Sequence, residues 1–307
     1  MASPVFPYCR PEGGQSTAAH PRSVILLILE SVGERELELE YAGEPVMPRL
    51  AAFADENVHF TNFHAQGDRS AQALVGILSG IPAATHRRLL IRQPLPRLEG
   101  LPADLEGAGY ETVYMHGSDL SFEQQRDYLS MIGFGEIYEL DSEVIGQDHG
   151  WGVPDGRMLE RLRRWIEARE GRGLFFATLF TLSTHDPYEI PGAPPVSQRG
   201  RSEFERFVST LAYLDTELGK FIDWYVDHEL PRETVLLITG DHAPRLPHPG
   251  DPLRTNTGEL EYRFEVPLIV GGLREAEMDA ARKVSQRAGG HLDIPQTVLG
   301  LVDLEVG

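Results

Sequence analysis

The stretch Val235-Leu-Leu-Ile-Thr-Gly-Asp-His242 decides how the chain is read. Its first five residues are short, continuous, apolar and β-branched, the signature of a strand buried on both faces in a parallel sheet. Gly240 ends that strand, and a carboxylate and an imidazole follow at once. In open α/β sheets ligands bind at the carboxyl edge of the strands. An oxygen donor beside an imidazole nitrogen suits Mn²⁺ or Zn²⁺ better than Ca²⁺. Asp-His also occurs in many loops that hold nothing, so the pair by itself leaves both readings open.

Working outward, Val24-Ile-Leu-Leu-Ile-Leu-Glu30 has the same form: six apolar residues running into a carboxylate. A Glu at the tip of a buried strand is costly unless it is paired or binds a cation; otherwise it lies beyond the strand end in water. Two such strands, both ending in acidic groups, make one shared cation the economical arrangement. A third segment, Gly67-Asp-Arg-Ser70-Ala-Gln-Ala-Leu-Val-Gly-Ile-Leu, places Ala73, Leu74, Ile77 and Leu78 at helical spacing. Ser70 therefore opens a helix. It serves there either as an ordinary cap or as a hydroxyl whose alkoxide is favoured by the helix dipole and a neighbouring cation. Arg69 beside it suits a tetrahedral oxyanion.

Composition narrows the partners. The 307 residues, 41% of them hydrophobic, suffice for one large α/β core, and a net charge of −19 argues against nucleic acid and against broad docking on an anionic bilayer. A site for anionic substrates must then be locally positive. The single cysteine, Cys9, excludes an intramolecular disulfide. No run approaches the roughly 18 apolar residues of a membrane span, and Met1-Ala-Ser-Pro-Val-Phe-Pro lacks the features of a signal peptide. Residues 1–22, rich in Pro and Gly, read as a flexible linker tail, and residues 23–307 as one α/β domain. Further strands are predicted near Val58–Phe63, Glu111–Met115, Leu174–Phe180 and Val266–Val270. One long amphipathic helix is predicted from the shared face of Phe204, Phe207, Leu211, Leu214, Leu218 and Tyr225. Residues 191–202 and 245–258 read as loops, the second a rim beside the Asp-His pair.

Glu30 after the first strand, Ser70 opening a helix and Gly240-Asp241-His242 after a late strand resemble the lipoteichoic acid synthase group of the alkaline phosphatase and sulfatase superfamily. Met47-Pro-Arg-Leu, Phe60-Thr-Asn-Phe, Leu78-Ser-Gly-Ile-Pro, Thr181-Leu-Ser-Thr-His-Asp-Pro-Tyr, Val266-Pro-Leu-Ile-Val and Gly289-Gly-His-Leu-Asp-Ile-Pro match in the same order, over roughly residues 23 to 303. The resemblance implies a sulfatase/alkaline phosphatase-like α/β fold with a mainly parallel central sheet flanked by helices on both faces. It implies one divalent ion, Mn²⁺ first and Zn²⁺ or Mg²⁺ as alternatives, held by Glu30, Ser70, Asp241 and His242. It also implies that Ser70 is the nucleophile, with Arg69 and His185 assisting at the phosphate and the leaving group. Asp119 and Arg126, in His116-Gly-Ser-Asp-Leu-Ser-Phe-Glu-Gln-Gln-Arg126, resemble a substrate-binding segment, and Trp151 and His291 are placed at the same pocket.

One departure is informative. Formylglycine sulfatases carry Cys/Ser-x-Pro-Ser-Arg, whereas Ser70-Ala-Gln-Ala-Leu has no proline two residues on. An unmodified hydroxyl fits phosphoryl chemistry better. The expected activity is transfer or release of a glycerophospholipid headgroup, of the phosphoglycerol type, on the outer face of a cytoplasmic membrane. The membrane segment is expected to lie outside this chain. The alternatives are a hydrolase of soluble phosphate or sulfate esters and a degenerate sensor or scaffold.

Overall fold

The computed structural model describes residues 21–82, 89–91, 94–139, 152–169, 171–190, 201–248 and 262–304. Apolar runs make the strands of its central sheet: β1 (Ser23–Leu29), β4 (Val58–Phe60), β6 (Glu111–His116), β7 (Glu136–Tyr138), β8 (Phe175–Phe180), β9 (Thr234–Gly240) and β10 (Leu268–Gly271). Two small pairs lie outside it: β2 (Glu40–Tyr41) with β3 (Glu44–Pro45), and β5 (Phe63–His64) with β11 (Gly289–Gly290). The helices are α1 (Glu34–Leu37), α2 (Pro48–Glu56), α3 (Ser70–Ser79), α4 (Leu101–Gly107), α5 (Gln125–Met131), α6 (Asp155–Glu167), α7 (Glu203–Asp227), α8 (Glu275–Arg282) and α9 (Ile294–Leu301).

The sheet order is β4-β10-β9-β1-β8-β6-β7. Side chains alternate across each strand, so β1 splits its apolar residues between two cores. Ile25, Leu27 and Leu29 join the core beneath α2, α6 and α7; Val24, Leu26 and Ile28 join the one beneath α3, α4, α5 and α9. Helices thus cover both faces, and a strand buried on both sides has no reason to alternate polar with apolar, which is why β1 and β9 read as continuous runs. Ser202 starts the 25-residue α7 by accepting the Glu205 N–H at 3.2 Å, while Glu205 accepts the Ser202 N–H at 2.6 Å.

Two expectations change in detail. The predicted strand Val58–Phe63 is divided, with Val58–Phe60 entering the main sheet and Phe63–His64 pairing β11. The strand predicted at Val266–Val270 forms over Leu268–Gly271 but runs antiparallel to both its neighbours. A parallel neighbour to β9 requires a crossover, normally helical. β10 pairs antiparallel with both β9 and β4, so the chain returns in the opposite direction at this edge. Most of the predicted loops at residues 191–202 and 245–258 lies outside the described residues.

Candidate active site

Register brings the chemistry to one edge. Leu29 is paired with Gly240 across β1 and β9, Ile28 with Phe180 across β1 and β8, and His116 with Phe180 across β6 and β8. The next residues, Glu30, Asp241 and Thr181, therefore emerge side by side at the carboxyl ends of parallel strands. Gly240 is required at this crossing: a Cβ there would sit 1.9 Å from the Val32 carbonyl oxygen. Ser31 takes a left-handed turn (φ 53°), which sends its N–H to Asp241 Oδ1 at 2.8 Å and its hydroxyl to Glu30 Oε1 at 2.7 Å. Glu30 is fixed through its backbone as well, its N–H donating to Thr181 Oγ1 at 2.9 Å and its carbonyl accepting the Thr184 hydroxyl.

Ser70 is the first residue of α3, and the capping position belongs to Arg69, whose extended backbone (φ −141°, ψ 140°) makes no side-chain cap. The Ser70 hydroxyl is thus not used as a cap. It donates to Glu30 Oε2 at 3.0 Å, at a helix terminus whose dipole favours negative charge.

Glu30, Asp241 and His242 are buried, and one ligand atom from each lies within 4.8 Å of the others. Asp241 Oδ1 accepts the N–H groups of Ser31 and His242, but its Oδ2 is buried with no hydrogen-bond partner. His242 donates Nδ1–H to the Ala243 carbonyl at 3.0 Å, which leaves the Nε2 lone pair facing Asp241 Oδ2 at 3.3 Å. That is the tautomer a metal ligand requires. Burial, then the charge of Glu30, pushes the Asp241 carboxyl up to about 7. Burial acts on Glu30 in the same direction, but the charges of His242 and His185 and the Ser31 and Ser70 hydroxyls outweigh it and hold Glu30 below its ordinary value. Burial works against a charged His242, yet Asp241 and Glu30 hold its pKa above the ordinary value. Two adjoining buried carboxylates, an orphaned oxygen and an inward lone pair could hold a cation, and their chemistry fits a divalent ion of the Mn²⁺ or Zn²⁺ class.

The cluster floors a cavity of about 840 Å³ that opens to the surface. Arg69, Ser70, Asp119 and His185, all singled out from sequence, line it. His185 donates Nδ1–H to the Asp186 carbonyl at 2.6 Å. Asp119 spends its carboxylate on Ser121, accepting N–H and Oγ–H at 2.8 Å each, and these bonds hold its pKa below the ordinary value.

Arg126, expected at the substrate, is instead exposed and forked onto Glu139, whose other oxygen accepts the Leu120 N–H at 3.0 Å. Residues 121–123 and 125 of the same segment line the cavity, and Arg126 itself is not among the lining residues. His291, also expected at the substrate, is fully buried: Nε2–H donates to the Gly240 carbonyl at 2.9 Å, and Nδ1 accepts the Gln66 N–H at 3.3 Å. It positions the backbone before Asp241. Trp151 lies outside the described residues.

Three contributors carried no individual signal in the sequence. His116 lines the cavity, donating Nδ1–H to the Phe180 carbonyl at 3.0 Å, and burial holds its ring below the ordinary pKa. Arg245 lines the rim and donates to the Asp68 carbonyl at 2.6 Å; only its place just after the Asp-His pair marked it. Asp155, at the start of α6, is fully buried and accepts the N–H groups of Leu182 and Ser183 at 2.7 and 2.9 Å, anchoring the loop that carries His185. Burial pushes its carboxyl up to about 6 despite those bonds.

The buried His291 gives a pH prediction. Burial lowers its pKa to about 3, so the unfolded chain binds the proton first and stability falls as pH drops below the unfolded value near 6.5. Between about pH 7 and about pH 5 this group should withdraw about 2 kcal/mol. Asp155, with a raised pKa, acts in the opposite direction over the same range. The contribution is therefore read as the difference between wild type and His291→Gln in denaturant melts at the two pH values. Parallel pH dependence in the two proteins would refute it.

This fold with a buried carboxylate–imidazole cluster beneath a helix-terminal hydroxyl defines the class. The chain belongs to the sulfatase family, whose profile matches residues 22–304. It is 19% identical over 314 residues to the lipoteichoic acid synthase-like protein YvgJ of Bacillus subtilis, covering 97% of this chain and 50% of the relative. The lipoteichoic acid synthase LtaP of Listeria monocytogenes has the same fold (TM-score 0.77, 20% identity, 95% of this chain and 74% of that one). So does the C-terminal periplasmic domain of EptC from Escherichia coli in complex with Zn (TM-score 0.69, 14% identity, 97% and 87%). The chain spans about half the length, or less, of the curated relatives it matches.

Proposed function

We propose that the protein is a metal-dependent phosphoryl transferase that takes a headgroup phosphate ester from a glycerophospholipid onto Ser70 and passes it to an alcohol or water. The observation that carries this reading is the Ser70 hydroxyl, 3.0 Å from a buried carboxylate and beside the orphaned Asp241 oxygen. Glu30, Asp241, His242 and Ser70 would hold one divalent ion, for which Mn²⁺ is the first expectation. Such an ion lowers the pKa of a serine hydroxyl and neutralises charge on a phosphate oxygen.

The chain's own groups supply the remainder. Ser70 is aimed by its bond to Glu30, the carboxylate that takes its proton on attack and returns it when Ser70 is displaced. Attack forms an oxygen–phosphorus bond at Ser70 and breaks the bond to the glycerol oxygen of the lipid. His185 delivers a proton to that departing oxygen, so a neutral alcohol leaves and a phosphoseryl diester remains. An acceptor hydroxyl then gives its proton back to His185 as it displaces Ser70. Arg69 and Arg245 supply positive charge at the cavity wall of an otherwise acidic chain, where the equatorial oxygens gather charge.

The placement proposed is the outer face of a cytoplasmic membrane. Among the described residues no helix is long and apolar enough to cross a membrane, and the similar EptC domain is periplasmic. Purified protein loaded with Mn²⁺ or Zn²⁺ and given vesicles of phosphatidylglycerol or phosphatidylethanolamine is expected to release diacylglycerol. p-Nitrophenyl sulfate should be inert. Turnover of small aryl phosphates with none of either lipid would replace this reading by a soluble-ester hydrolase.

A further inference from the structure

A second cavity, of about 780 Å³, runs along α6 on the flank of the domain beside edge strand β7. Its wall combines the Tyr138 and Trp165 rings and one carboxylate, Glu160, with a row of arginines: Arg157, Arg161 and Arg164 stand at i, i+4 and i+7, one face of the helix, about 10 Å from first to last. Arg169 closes the far end. Six of the chain's 28 basic residues and four of its 47 acidic ones fall within residues 155–172, a local excess of two positive charges in a protein whose net charge is −19. Local charge of this sign is therefore not a byproduct of composition.

Two of these cations are accounted for inside the fold. Arg164 pairs with Glu160 at 2.8 Å, and Arg169 with Glu111 at 2.6 Å and with Glu136. Among the described residues no carboxylate pairs with Arg157 or Arg161, and both are exposed. Arg161 lies over the Tyr138 ring at 5.2 Å and Arg169 over Trp165 at 3.5 Å. Rings that already hold guanidinium planes reduce the ordering cost of binding an anion. The groove also has a direction. Its upper end begins two residues after Asp155, which anchors the His185 loop at the catalytic edge, and its lower end reaches the start of β6.

We infer that this groove is a binding site for the phosphates of a phosphodiester chain, the polyanion that repeated transfer at Ser70 would build. The choice of phosphodiester over another anion rests on the transferase reading above; the presence of an anion site does not. Arginine's planar fork matches phosphate oxygens two at a time, and a row of them one helical turn apart takes successive phosphates of a flexible chain.

The test is titration of a synthetic glycerol-phosphate octamer, followed by calorimetry, against wild type, Ser70→Ala and the double variant Arg157→Gln/Arg161→Gln. Wild type and Ser70→Ala should bind alike. The double variant should bind at least tenfold more weakly, with a flatter dependence on salt because fewer counterions are released. Unchanged affinity in the double variant overturns the proposal, as does complete displacement of the octamer by glycerol 3-phosphate, which would place it in the catalytic cavity. Equal binding of a polyglutamate of matched charge, or capture only by anionic vesicles, overturns it too. If the lipid assay fails while the octamer result holds, the transferase reading falls and the groove stands.

Discussion

Ser70→Ala should reduce lipid headgroup release by at least about 10³-fold while leaving the fold and the metal content unchanged. The hydroxyl is the only group on α3 aimed at the buried cluster, and no water can take its place without losing the alignment that its helix terminus provides. The structural cost is small because Ser70 does not cap α3. Its loss removes one hydrogen bond, to Glu30, worth about 1 kcal/mol. Glu30, Asp241 and His242 keep their backbone supports, so metal analysis should still find near one equivalent. Ser70→Thr, which retains a hydroxyl, should recover part of the rate. Activity within tenfold of wild type in the alanine variant, with metal bound, would remove Ser70 from the mechanism.

Asp241→Asn separates metal binding from folding and makes a prediction of unusual sign. Wild type should carry about one equivalent of Mn or Zn by elemental analysis and the variant almost none, since an amide is a far poorer ligand than a carboxylate. Yet the metal-free variant should be the more stable protein at about pH 8. Burial and the Glu30 charge raise the Asp241 carboxyl to about 7 in the metal-free fold. A carboxyl with a raised folded pKa destabilises the fold as pH climbs from its unfolded value near 3.9 through its folded one, and costs nothing below both. With metal chelated from both proteins, the stability of wild type relative to Asp241→Asn should therefore fall between about pH 5 and about pH 8 by an amount on the order of 2 kcal/mol, since His291 and Asp155 titrate alike in the two. The amide removes that penalty: its oxygen keeps the Ser31 and His242 N–H bonds, and its NH₂ meets the orphaned position beside the His242 lone pair. Thermal melts in chelator at the two pH values decide it. Equal metal content in both proteins would show that Asp241 is not a ligand.

How much of this was legible in the sequence varies with the kind of interaction. Glu30 and Asp241-His242 were visible because a strand buried on both faces is a continuous apolar run, and the first polar residue after it must lie at the sheet edge. Ser70 was visible as a helix start, though not that the capping position falls to Arg69. What stayed hidden depends on contacts that strand and helix patterns do not encode. Asp155 is an ordinary helix-start aspartate until its two N–H donors arrive from residues 182 and 183. Arg126 looks like a phosphate ligand until Glu139 reaches it from the end of β7. His291 sits in a recognisable segment, but only the packed structure shows both its nitrogens turned to backbone. The reversed direction of β10 shows only in its antiparallel pairing with β9 and β4, because a buried apolar run reads the same in either direction.

The central position of β1 also bears on how the chain comes off the ribosome. Its two partners are β8 and β9, so Ser23–Leu29 is made first yet has nothing to pair with until residues 175–180 and 234–240 appear. At ordinary rates of synthesis that interval is on the order of ten seconds or more. For that time a seven-residue, uncharged strand, Ser-Val-Ile-Leu-Leu-Ile-Leu, stands open in the nascent polypeptide, with the composition that associates with its own kind. Yield on expression should accordingly respond to holdase chaperones and slow growth temperature far more than to anything done at the active site.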